Sequence, residues 1–415
     1  MTEAKRRTHA RVLMYSHDSM GLGHLRRCRA IAHSLVESDP GLSVLILSGS
    51  PIIGSFDFRA RVDFVRIPGV IKLRNGDYTS LSLHLDIEET VGLRSAIIKH
   101  TAETFDPDIF IVDKEPLGLR GEVKDTLEML KSRGTPLVLG LRDVMDEPEL
   151  LVPEWERKKV LPALRDLYDE IWVYGTKEVC DPFAGMPMSS EIQLKTRYTG
   201  YLRRHAPTVH ITAPPNAPFV DQPFLLVTAG GGGDGESLMD WVLQAYETDR
   251  ELPYPALLVL GPFMPHEIQT EFMERAEKLD RVRVITFDSR IEGLMARCAG
   301  IVAMGGYNTF CEILSFDKRA LIVPRTEPRL EQYIRATRAR ELGLVDVLVD
   351  DEDRDPRAMA AALRRLPGQK QPSQAGHSDL LDGLDRVRHL TKRWIAEDRG
   401  GGRRVDAALR LRRQA

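Results

Sequence analysis

Residues 224–236 read Phe-Leu-Leu-Val-Thr-Ala-Gly-Gly-Gly-Gly-Asp-Gly-Glu. An aliphatic run, a glycine-dense turn and the start of a helical pattern follow in that order, which is a βα unit with an anion seat at its turn. Unpaired N–H groups at a helix start point outward, and the helix dipole favours negative charge. Glycine removes the Cβ that would hold a diphosphate off the backbone. The segment stands mid-chain, whereas a dinucleotide-binding turn belongs to the first βα unit. Here that first position holds a different glycine turn, Gly21-Leu-Gly-His24.

Upstream of residue 224, short apolar runs alternate with helical patterns. Strands are expected at 11–16, 43–48, 62–67, 108–113, 136–141 and 170–174, with helices at 23–36, 87–104 and 119–132. Residues 204–223 hold Pro207, Pro214, Pro215, Pro218 and Pro223 and continue neither a helix nor a central strand. The rhythm then restarts. Strands are expected at 224–228, 256–261, 282–287, 300–304, 319–324 and 344–349, and helices at 236–248, 266–279, 291–297, 309–315, 332–342 and 356–365. The polar stretch 367–378 reads as a loop. The expected fold class is α/β, with two doubly wound Rossmann-like domains facing a central cleft. They span 1–204 and 224–378, joined by a linker at 205–223. A helix at 379–398 packs back on the first domain, and a disordered tail follows at 399–415. In such sheets ligands bind beyond the carboxyl ends of the strands.

Composition narrows the function. The chain of 415 residues is 42% hydrophobic and 29% charged with a net charge of −3, an ordinary globular balance without a pull toward nucleic acid. Basic clusters fall only near the ends, at Lys5-Arg6-Arg7 and around Arg403 and Arg410–Arg413. Cys28, Cys180, Cys298 and Cys311 lack metal-ligand spacing and suit a reducing compartment. No apolar run approaches the roughly 20 residues that span a bilayer, so a cytoplasmic location is expected.

The first glycine turn fails as a nicotinamide fingerprint. Arg26 stands where the third glycine belongs, and Ser48-Gly49-Ser50 offers no acid for a ribose. It does bring His24 to a helix start beside His17 and Asp18, where an imidazole near neutral pKa suits proton abstraction; a local capping role is the alternative. Asp113 and Asp143 end strands on the cleft side, to orient the histidine or bind a sugar hydroxyl, or else to cap a helix. Glu312 follows Thr309 by three residues, either a capping box or a carboxylate for ribose hydroxyls. Glu331-Gln332 opens a later helix, either as sugar-reading groups or as a solvated first turn.

Taken together, these segments resemble the two-domain, GT-B-fold glycosyltransferases related to MurG, over residues 10–365. Gly21-x-Gly23-His24 resembles the family's GGH loop, and Thr199-Gly-Tyr-Leu-Arg203 its T-G-N-P-V-R turn. Thr228–Gly235 resembles the GGS-x-GA loop, Met304–Glu312 the segment R-x-G-A-x-T-x-x-E, and Glu331-Gln-Tyr333 with Ala336 the motif Q-Q-Y-x-N-A. The resemblance implies donor binding by Arg203, Gly231, Gly232, Gly233, Gly305, Gly306, Asn308, Thr309, Glu312, Glu331 and Gln332. It implies acceptor binding around Gly21, Gly23 and Asp143, with His24 and Asp113 catalytic. The implied function is inverting transfer of a hexose or N-acetylhexosamine from a nucleotide diphosphate sugar, a UDP-sugar, to an acceptor hydroxyl. No metal and no resident cofactor are expected, since the nucleotide sugar is a co-substrate and no Asp-x-Asp pair stands at a strand end. Ser19-Met20, Tyr201-Leu202 and Glu331 depart from the family pattern and bear on acceptor and sugar identity. The acceptor, whether small molecule, glycan or lipid-linked, is left open, and with it peripheral membrane contact; the loop 68–85 is placed to select it. A nucleotide-sugar 2-epimerase of the same fold and a non-catalytic nucleotide-sugar-binding protein are the alternatives.

Overall fold

The computed structural model describes residues 9–17, 22–73, 77–205, 219, 222–231, 233–288, 290–350, 353–377 and 379–399. Gly21, Gly232, Asp18, most of the linker and the tail after 399 lie outside the described residues.

Apolar runs buried on both faces give parallel strands, and two such sheets form. The first contains β1 (Ala10–Ser16), β2 (Leu42–Ser48) and β3 (Val62–Arg66). A hairpin of β4 (Val70–Lys72) and β5 (Tyr78–Ser80) stands apart before β6 (Ile109–Asp113), β7 (Leu137–Arg142), β8 (Glu170–Tyr174) and β9 (Thr196–Tyr198) complete that sheet. Its order is β3-β2-β1-β6-β7-β8-β9. The second sheet contains β10 (Leu225–Thr228), β11 (Ala256–Val259), β12 (Val282–Ile285), β13 (Gly300–Ala303), β14 (Ala320–Ile322) and β15 (Asp346–Val347), in the order β12-β11-β10-β13-β14-β15. Every pair within these two sheets is parallel. In each, the chain builds to one side of its first strand and then crosses to the other. The direction therefore switches between β1 and β6 and again between β10 and β13, and a crevice opens beyond the strand ends at such a switch.

The helix Gly383–Arg399 returns to the first sheet, where Arg393 and the Trp394 indole donate to Glu170 at 2.6 and 2.9 Å. Several elements had no counterpart in the sequence pattern: the hairpin, β9, and the helices Pro148–Arg157, Val160–Asp166 and Ser190–Lys195. Short strands lack a period, and Pro153 inside the first of those helices reads as a breaker. The helix expected from residue 119 begins at Lys124, because Gly118 and Gly121 take φ of 69° and 90° ahead of it.

The two domains meet over a shared buried apolar cluster, in which Tyr201 packs on Tyr307 and Phe310, with a buried ion pair set beside it. Arg335, from the helix Glu331–Glu341, donates from Nε and Nη2 to both oxygens of Asp143, just past β7, at 2.7 and 2.6 Å. The Tyr201 hydroxyl adds a bond to Asp143 at 2.8 Å, and the remaining Arg335 nitrogen reaches the Gly305 carbonyl at 3.0 Å. The two side chains are 1% and 0% exposed. Removing one partner of such a pair leaves a buried charge uncompensated. Arg335→Met is therefore expected to lower unfolding stability by about 3–5 kcal/mol in urea denaturation, and adding Asp143→Leu to recover most of the loss. Native-like stability of the single variant would contradict this role.

Candidate active site

Both switch points open into the same cleft. On the first, the helix Gly23–Ser38 starts directly above the end of β6, and His24 and Arg27, one turn apart, face Asp113. The Arg27 Nε and Nη2 each lie 2.7 Å from an Asp113 oxygen, and the His24 Nδ1 lies 2.5 Å from Oδ2. Burial pushes the Asp113 carboxyl up, but Arg27 and His24 outweigh it and hold the group well below the usual carboxylate range. An ionised Asp113 can only accept, so the Nδ1–H of His24 donates to it, which leaves the lone pair of His24 on Nε2. Burial lowers the His24 pKa, opposed by Asp113, so the imidazole is neutral at working pH. The histidine is thus oriented by a carboxylate rather than engaged in capping its helix. His17 packs edge-on against the His24 ring at 5.7 Å, and burial pushes its pKa down to about 3. Lys114, at φ 67° after Asp113, is pushed down to about 8 by burial and is a cleft cation that no motif indicated.

On the second switch point the glycine turn leaves β10 with Gly230 at φ 69°, a conformation a side chain resists. Gly231 and Gly233 carry the turn to the helix Glu236–Thr248, whose N-cap, Gly235, supplies no side-chain cap. A second uncapped start follows β13, where Gly305, at φ 78°, and Gly306 precede the helix Tyr307–Ser315. A Cβ on Gly305 would lie 2.7 Å from the Ile322 side chain, so this turn admits only glycine. Two helix starts with free first-turn N–H groups face the cleft.

Glu312 lies in the second turn of that helix and is fully buried. Gly306, not Thr309, is the N-cap, so the capping-box reading does not hold. One Glu312 oxygen contacts Arg26 of the first domain, which also binds Glu292 at 2.9 Å; the other, Oε2, has no hydrogen-bond partner among the described residues. Burial drives the Glu312 carboxyl up to about 7 against the pull of Arg26, with Glu292 adding to the rise.

Several expected residues sit differently. Asp143 does not face an acceptor, since Arg335, Tyr201 and the Val144 N–H occupy it and it is fully buried. Arg204, not Arg203, reaches the helix Tyr307–Ser315, donating to the side-chain amide oxygen of Asn308 at 2.7 Å, whereas Arg203 is exposed. Counting all six positions of the T-G-N-P-V-R turn from Thr199 lands on Arg204, a signal present in the sequence. Asn308 also donates to the Gly23 carbonyl at 2.9 Å, so its amide bridges the domains rather than standing free for a donor. Glu331 is not free either. Arg142 from β7 pairs with it, with one contact of 3.1 Å, and Arg325 approaches at 3.3 Å. Burial pushes the Glu331 carboxyl up, but Arg142, with Lys114 and Arg335, outweighs it and holds the group far down. Gln332 accepts the Arg325 N–H at 3.2 Å, and Thr309 is buried at the start of its helix. Arg325 also contacts Asp234 in the glycine turn, which offsets the negative charge there. No helix among the described residues is long and apolar enough to cross a membrane.

Residues 224–380 match the family model described as the glycosyltransferase family 28 C-terminal domain. No curated protein matches the chain in sequence. Among solved structures, MurG of Acinetobacter baumannii aligns over 92% of this chain and 99% of its own at 13% identity, with a TM-score of 0.55. UGT2 of Phytolacca americana, complexed with UDP-2fluoro-glucose and pterostilbene, aligns over 93% and 99% at 12% identity, with a TM-score of 0.60. The glycosyltransferase VinC in complex with DTDP aligns over 96% and 100% at 18% identity, with a TM-score of 0.54. The family 28 match lies on the part of the chain that holds the glycine turn, and both sheets are arranged as in these solved structures, so the chain has their two-domain GT-B fold, with a glycosyltransferase family 28 C-terminal domain at residues 224–380.

Proposed function

We propose that the protein transfers a hexose or N-acetylhexosamine from a nucleotide diphosphate sugar, a UDP-sugar, to an acceptor hydroxyl with inversion at the anomeric carbon. One observation carries the reading: a neutral histidine, its free nitrogen set by an ionised aspartate, opens into the same cleft as two uncapped, glycine-led helix starts. In this mechanism Nε2 of His24 takes the proton of the acceptor hydroxyl as its oxygen attacks the anomeric carbon. The bond from that carbon to the diphosphate breaks, and the nucleoside diphosphate leaves. Asp113 stabilises the imidazolium that forms. Charge growing on the diphosphate is met by the turn at Gly231–Gly233 and the helix starts after Gly235 and Gly306, with no resident cofactor required. The unpartnered Oε2 of Glu312 suits a ribose hydroxyl donor. Gln332 and the Arg142–Glu331 pair flank the space for the transferred sugar. UDP and dTDP complexes of similarly folded enzymes are consistent with a pyrimidine nucleotide in this seat.

His24→Ala is expected to lower turnover by about 10²–10⁴-fold while leaving UDP affinity nearly unchanged, as measured by nucleotide release and calorimetry; undiminished turnover would remove His24 from the base role. The His24 pKa lies below its ordinary value, so the acid limb of kcat/KM is expected below pH 6.5, and a limb at or above 6.5 would contradict the burial argument. The Glu312 carboxyl is raised to about 7, so it is protonated below that pH and becomes an acceptor for ribose hydroxyls above it. UDP affinity is therefore expected to climb as pH rises through about 7, approaching tenfold per unit below it. Glu312→Gln should flatten this dependence; an equal slope in that variant would assign the titration elsewhere.

A further inference from the structure

A cavity of about 830 Å³ lies between the helix Gly23–Ser38, residues 57–59, 203–205 and 290–292, and the helix Gly383–Arg399. Its walls carry seven arginines against four carboxylates. Three of those carboxylates are already matched: Glu37 by Arg59, Glu292 by Arg26 and Asp385 by Arg388. Arg29 and Arg204 donate only to neutral oxygens, the Asp57 carbonyl at 2.8 Å and Asn308 at 2.7 Å. The guanidinium groups of Arg203 and Arg290 have no hydrogen-bond partner among the described residues. Positive charge is therefore in excess, and the two wall histidines register it. Burial, with Arg29 and Arg59, pushes His33 down to about 3. Burial, with Arg203, Arg59, Arg388 and Arg204, lowers His205.

We infer that this cavity is a second anion site, separate from the donor seat, that takes a small phosphate-bearing molecule through Arg203, Arg290 and Arg29. Its volume falls in the range of small-ligand pockets, and planar guanidinium forks match phosphate oxygens in pairs. Neither the glycine turn at 230–235 nor Gly305 and Gly306 line it. The partition is Arg26, which lines the cavity while contacting Glu312 on the other side.

The test is calorimetric titration of the full chain with inorganic pyrophosphate, in the native protein, in Arg203→Gln/Arg290→Gln, in Arg388→Gln and in Gly233→Asp. The native protein is expected to bind pyrophosphate. The double variant should weaken that binding by about tenfold or more and Arg388→Gln in the same direction, while Gly233→Asp retains the site. Arg203 and Arg290 lack partners among the described residues, so the double variant is expected to fold, as thermal unfolding will show; Arg388→Gln answers independently if it does not. Undiminished affinity in the arginine variants, loss in Gly233→Asp alone, or no binding by the native protein overturns the inference. A parallel UDP titration separates this result from the donor reading: UDP affinity unaffected by Gly233→Asp sinks that reading whatever pyrophosphate does.

Discussion

Asp143 and Arg335 form an ion pair across the domain boundary, fully enclosed and with both carboxylate oxygens engaged. Such a pair gains little net stability over an apolar contact, because two charges must leave water, but it is intolerant of misplacement. Here it fixes how the carboxyl end of the first sheet meets the second. Arg335 also holds the Gly305 carbonyl, so the pair positions the very turn that starts the helix bearing Glu312. Other interdomain contacts stand beside it: Asn308 to Gly23, Arg26 to Glu312 and Arg142 to Glu331. The cleft is bridged by these polar pairs beside a buried apolar cluster that also spans the boundary, where Tyr201 packs on Tyr307 and Phe310. Polar pairs can exchange partners with a charged ligand, which an apolar seam cannot.

The chemistry depends on where the two sheets change direction. The switch between β1 and β6 delivers His24 and Asp113, and the switch between β10 and β13 delivers two glycine-led helix starts. Facing switch points bring a carboxylate-oriented histidine to one wall and two glycine-led helix starts to the other. Arg27 completes the first wall: its bidentate grip keeps Asp113 ionised, and the ionised carboxylate sets which histidine nitrogen is free.

Much of this was legible in the sequence. Long periodic segments gave every strand of the two parallel sheets except β9 within one to three residues at most ends, and His24 meets Asp113 as its helix-start position beside a strand end implied. What was not legible depends on pairing across the chain. Asp143 and Glu331 look like free strand-end and helix-start acids, and only the fold brings Arg335, Arg142 and Arg325 to them. Arg26 reads as a flaw in a nicotinamide fingerprint, yet its side chain crosses to Glu292 and Glu312. Arg27 carries a signal, one helical turn from His24, but spacing names no partner. The hairpin β4–β5 and β9 are too short for any period to appear.

The central claim is that the cleft between the two switch points seats a nucleotide diphosphate, with its ribose at Glu312 and its departing end opposite His24. A crystal structure of the UDP complex tests it most directly. The diphosphate is expected on the turn at 230–233 and the helix starts after Gly235 and Gly306, with a ribose hydroxyl at Glu312 Oε2. UDP bound elsewhere, or with its ribose away from Glu312 while Arg26 keeps its present contacts, would contradict it.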